Sequence, residues 1–178
     1  MKIFEVTKRR GLPGAFMALV CATTLPITSL QADPRAGAYE MLVHTETMQG
    51  RRLARGDWEA ALAMNEDIRL ESFDALNNRC VSLTLAKDFD EAITACDLAV
   101  ASVEVAAPPA GDLYRPRASA RVGKAIALTN RGVLHALIGD HESAEADFVA
   151  AAGMTKRLTA AEENLEKLRL KDAMARVD

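Results

Sequence analysis

Two stretches of this chain, Ala75 to Ala99 and Ala127 to Ala151, are copies of one another set fifty-two residues apart. Ala75-Leu76-Asn77-Asn78-Arg79-Cys80-Val81 and Ala127-Leu128-Thr129-Asn130-Arg131-Gly132-Val133 agree at five of seven positions. Leu85 then falls on Leu137, Asp88 on Asp140, Ala92 on Ala144 and Ala99 on Ala151, nine identities in twenty-five positions. A unit that recurs along a chain cannot bury its apolar face alone and stacks on its neighbours, so the repeat restricts the fold to an array.

Each copy reads as two helices and a tight connection. Gly139-Asp140 supplies a helix stop followed by an N-cap. In the first copy Asp88 caps and Glu91 follows three residues on as a capping box, with Lys87 standing where the glycine would be. Ala92 and Ala144 lie twelve residues after Cys80 and Gly132, and such small side chains let two helices cross closely. Composition agrees: 49% apolar residues with only 4% aromatics favours helices packed through small side chains. At 178 residues the chain suits one domain.

These features, with Asp147-Phe148 after the second-helix alanine, resemble the Asn-Arg-Gly variant of bacterial tetratricopeptide repeats. The resemblance implies an all-α, right-handed superhelical stack of three hairpins plus a C-terminal capping helix. The hairpins span about residues 36–70, 73–103 and 119–152, and the last helix about 159–176. The first hairpin is divergent: Gly56-Asp57 repeats the turn, Ala61 matches Ala92 and Ala144, and a leading helix is expected over about Tyr39 to Leu53. Pro108, Pro109, Gly111 and Pro116 put a loop at 104–118, either a binding element through Leu113-Tyr114-Arg115 or a tolerated surface insertion. Thr159 to Glu162 reads as a capping box opening the last helix, whose apolar stripe Asp172 interrupts.

Residues 1–32 read as a signal peptide, leaving a domain of residues 33–178. Lys8-Arg9-Arg10 forms the basic part, Gly11 to Leu30 is mostly apolar, and Ala32 precedes the expected cut. The alternative is an uncleaved anchor in the inner membrane. Export makes the protein periplasmic or secreted, with no membrane contact after signal removal. Cleavage takes away four of the 22 Lys and Arg and one of the 25 Asp and Glu, leaving a net charge of −6. So acidic a chain is not expected to bind nucleic acid.

No residue pattern points to catalysis. Among three histidines there is no His-x-x-x-His or Glu-x-x-His, nor any Cys-x-x-Cys, Gly-x-Ser-x-Gly or phosphate loop, so no enzyme activity, cofactor or metal is expected. Arg131 with Asp147, sixteen residues on in the paired helix, reads as a structural ion pair. Cys80 and Cys96 are the even pair left once Cys21 departs with the signal. Facing each other across a hairpin in an oxidising compartment, they point to a disulfide, with two free buried thiols as the alternative.

The tetratricopeptide resemblance implies that Asn78 and Asn130 face a concave groove and hold the backbone of an extended peptide. The clamp by which one subgroup binds acidic chaperone tails is not expected, because Glu46, Gly50, Ile126 and Asn130 depart from it. The function expected is therefore an exported protein–protein interaction module or adaptor whose partner is a peptide or helix of another protein. A structural or self-assembling envelope protein, dimerising through the C-terminal helix, is the first alternative. A small-ligand carrier or motif-less enzyme is the second.

Overall fold

The computed structural model describes residues 27–31, 39–64, 72–105 and 116–176. Within them the chain is mostly helical. Strands β1 (Ile27–Gln31) and β2 (Glu40–His44) precede helices α1 (Met48–Leu53), α2 (Trp58–Ala63), α3 (Phe73–Ala86), α4 (Phe89–Val105), α5 (Pro116–Ile138), α6 (His141–Met154) and α7 (Ala160–Ala175). Helix α1 packs on α2, α3 on α4, and α5 on α6, and the pairs touch through α2 with α3 and α4 with α5. Helix α7 lies against α6 and α5.

The three connections share one backbone device. Gly56 (φ 79°), Lys87 (φ 62°) and Gly139 (φ 88°) each take the left-handed conformation that ends a helix. Lys87 thus occupies the glycine position at a steric cost that glycine avoids. The following Asp57, Asp88 and Asp140 accept from the N–H of Ala60, Glu91 and Ser143 respectively. The capping box expected at Thr159 does not form: Thr159 is already helical in its backbone and makes no side-chain cap bond. Glu162 instead pairs with Lys156 at 3.1 Å.

Small residues mark the crossings. A Cβ on Gly132 would lie 2.7 Å from the Phe148 ring, so the glycine is what admits that ring between α5 and α6. In the preceding hairpin the same two positions hold Cys80 and Cys96, whose sulfurs are bonded with the Cα atoms 4.8 Å apart. Leu83, Ala92, Ala95 and Leu134 enclose the bridge.

Two expectations need correction. The leading helix over Tyr39 to Leu53 is only the six-residue α1; Glu40 to His44 is extended, and the chain turns at 45–47 before the helix begins. Its backbone bonds are supplied from outside the segment, as shown below, so helix formation is not needed to satisfy them. Helices also occupy both ends of the stretch 104–118 expected as a loop, since α4 runs to Val105 and α5 starts at Pro116, a position where a missing N–H costs nothing. Leu113-Tyr114-Arg115 lies outside the described residues, as do residues 1–26 of the expected signal. Among the described residues no helix is long and apolar enough to cross a membrane.

Candidate functional site

Strand β2 crosses α7, α5 and α3 in turn, and one asparagine from each helix grips it. Asn164 accepts from the Glu40 N–H and donates to its carbonyl, both at 2.8 Å. Asn130 does the same to Leu42, at 2.7 and 2.8 Å. Asn78 does it to His44, at 2.9 and 3.0 Å. A carboxamide presents one donor and one acceptor side by side, the pattern of a residue on a neighbouring strand. Three of them on successive inner helices therefore behave as a surrogate strand. The match has a geometric condition. A two-residue step along a strand is about 6.8 Å, whereas packed helix axes lie about 8–10 Å apart. The amide tips must converge on the inner side of the array to meet it.

The ladder is buried and cross-braced. Asn78, Asn130 and Asn164 have no measurable exposure, nor has Asn77. Asn77 donates to the Leu42 carbonyl at 3.0 Å and accepts from Asn130 at 2.9 Å, so that carbonyl receives two donors. Asn78 spends its second donor on the Thr47 hydroxyl, which caps α1 by accepting from Gly50 N–H. Gly50 itself sits so close that a Cβ would fall 1.8 Å from the His44 carbonyl oxygen and 2.8 Å from the Asn78 amide nitrogen.

Side chains lock the strand from both faces. Met41 and Val43 are fully buried with Tyr39 among Leu53, Val81, Val133, Phe148 and Leu168, while Leu42 enters a second cluster with Ile126 and Ala160. The Tyr39 ring stacks on Phe148 at 6.3 Å. Its hydroxyl is buried without a hydrogen-bond partner, and burial first, then the Asp172 charge, pushes its pKa up. His44 closes the far end, its ring edge-on to Phe73 and Nδ1 3.2 Å from Asp74. Burial lowers the His44 pKa and Asp74 opposes that shift in part.

Asn78 and Asn130 thus lie together on the inner face, and the polypeptide they hold is the chain's own β2. Asn164 joins them without having been indicated by the repeat. The signal for it was present: Ala75-x-x-Asn78, Ala127-x-x-Asn130 and Ala161-x-x-Asn164 recur, the last thirty-four residues after the second. Helix α7 keeps the alanine and asparagine but not the arginine and small residue that follow them as Arg79-Cys80 and Arg131-Gly132.

On the outer side Arg131 makes a two-pronged contact with Asp147, 2.8 Å on each arm, and a third bond to Asp97 of α4 at 2.8 Å. The Asp147 bond, the largest influence, holds the guanidinium charged against the cost of burial. Arg79, which has Ala95 where Arg131 has Asp147, reaches Glu91 instead at 3.0 Å. Asp172, the break in the α7 stripe, pairs with His141 of α6. Among the described residues no three His, Cys, Asp or Glu are grouped to hold a metal.

Comparison with family models, curated proteins and solved structures gives no match.

Proposed function

We propose that this chain is an exported, tetratricopeptide-like interaction module that recognises an extended segment of another polypeptide. The observation that carries this reading is the asparagine ladder: its carboxamides hold an extended segment through that segment's main-chain N–H and C=O groups, bonds that do not depend on which residues the segment carries. The tetratricopeptide reading is supported by the recurring Ala-x-x-Asn and by the paired helices. Export is supported by the basic and apolar start of the sequence and by the Cys80–Cys96 bond. In this reading β2 is a permanent part of the binding face, because Tyr39, Met41 and Val43 are core residues.

The test is recovery of partners from envelope extract on the immobilised protein, beside the variant Asn78→Ala with Asn130→Ala, with helicity followed by circular dichroism. Partners retained by the parent and lost by a still-helical variant are expected. Equal recovery by both overturns the reading.

A further inference from the structure

Successive residues of a strand aim their main-chain groups at opposite edges. Glu40, Leu42 and His44 spend theirs on the asparagines, so Met41 and Val43 address the other edge. There β1 runs antiparallel, with Leu30 opposite Met41 and Thr28 opposite Val43. The two edges differ in permanence. The ladder edge is built from three helices, and the Met41 and Val43 side chains are anchored among Val81, Val133 and Phe148. Among the described residues the outer edge is closed by residues 27–31, which fall inside the segment expected to be cut off after Ala32. Removing them frees two N–H and two C=O groups on a strand that cannot move away, which is a template for another strand.

We propose that the Met41–Val43 edge of β2 is the partner site of the mature protein, and that it takes an extended segment of another protein antiparallel to β2. Residues 27–31 hold this edge closed until the leader is removed. This rests on the export reading above and deepens it by naming where the partner sits. The partner segment is uncharged and free of proline over about five residues, as Ile27-Thr28-Ser29-Leu30-Gln31 is, because each residue facing β2 must donate an N–H. Main-chain pairing gives affinity with loose sequence selectivity.

The experiment titrates a fluorescein-labelled peptide of residues 26–32, by anisotropy, into the full chain and into the full chain carrying Thr28→Pro and Leu30→Pro. The prolines remove the two donors that face β2. The variant is expected to bind saturably and at least tenfold more tightly than the parent. Methylating the peptide nitrogens of Thr28 and Leu30 should abolish binding, and methylating that of Ser29 should not. Failure of the variant to bind, or binding indifferent to the methylated positions, overturns the proposal. So does loss of the helical dichroism signal in the variant, since β1 would then be a fixed strand of the fold. Protein purified from the envelope separates the two readings. A chain that begins at Asp33 and binds the peptide supports both, one that begins at Asp33 and ignores it or that retains residues 27–31 overturns this proposal alone, and absence of the chain from the envelope overturns the export reading.

Discussion

The side-chain amide of Asn130 takes both main-chain groups of Leu42, eighty-eight residues earlier in the chain, at 2.7 and 2.8 Å. Asn77 adds a second bond to the same carbonyl and is itself bound by Asn130. One carboxamide thereby joins α3, α5 and β2. Asn130→Ala leaves the buried Leu42 N–H and the Asn77 oxygen without partners, at about 1–3 kcal/mol for each orphaned group. Glu40 and His44, the residues held by Asn164 and Asn78, are less buried. Urea unfolding should therefore rank the losses Asn130→Ala greater than Asn78→Ala or Asn164→Ala. Equal losses at all three positions would contradict this account of the ladder.

Gly50 makes a prediction that runs against helix propensity. Alanine inside a helix is ordinarily better than glycine by roughly 1 kcal/mol. Here the added methyl would fall 1.8 Å from the His44 carbonyl oxygen, which belongs to backbone already gripped by Asn78. Gly50→Ala should lower the thermal midpoint, and more than Gly153→Ala, where a Cβ meets nothing within 4 Å. A Gly50→Ala protein as stable as its parent would mean that the turn at 45–47 yields freely.

Much of this arrangement was open to a reader of the sequence, and the part that was not has a physical cause. The Gly-Asp turns, the small residues at the crossings and the Cys80–Cys96 pairing are local or repeat-related, so spacing reveals them. Lys87 in a left-handed turn was legible only because its neighbours align with Gly139-Asp140. Strand β2 was not legible. Tyr39, Met41 and Val43 alternate as a strand should, but Leu42 between them is also buried, and a run apolar on both faces does not separate strand from helix. What decides is the source of its hydrogen bonds, and one of them comes from Asn164, 124 residues away. Asn78 and Asn130 were indicated as inner-face residues by the family resemblance, whereas Asn77 and Asn164 were not, and the identity of what they hold depends on where the distant segment 40–44 is laid down.

The disulfide and the glycine–phenylalanine pair are two solutions to one packing problem, which predicts that one can replace the other. Closing a loop of sixteen residues is worth about 3 kcal/mol in the chain-entropy model. Cys80→Ala with Cys96→Ala should lose that and leave space over α3. Cys80→Gly with Cys96→Phe, which installs the Gly132–Phe148 arrangement, should recover part of the loss in reducing and oxidising buffers alike. If the Gly–Phe protein is no more stable than the double alanine, the hairpins are not equivalent at this crossing.

His44 makes stability depend on pH in a window set by its environment. The ring is buried, its Nδ1 bonds Asp74, and its Nε2 has no hydrogen-bond partner, so a second proton there would find no acceptor. Its folded pKa is lowered below the ordinary 6.5. The unfolded chain then binds more protons than the folded one between those two values, and stability rises with pH across that interval. The contribution is complete above about 6.5, the unfolded value, and is lost as pH falls through the folded one. Asp140, whose carboxyl Ser143 holds below its usual 3.8, titrates lower and does not enter this window. Urea midpoints at pH 7.5 and 5.0 should differ more for the parent than for His44→Gln, which keeps a donor for Asp74 but takes up no proton. Identical differences in the two proteins would show that the His44 ring sheds its burial at no cost and that the end of β2 opens freely in the folded protein.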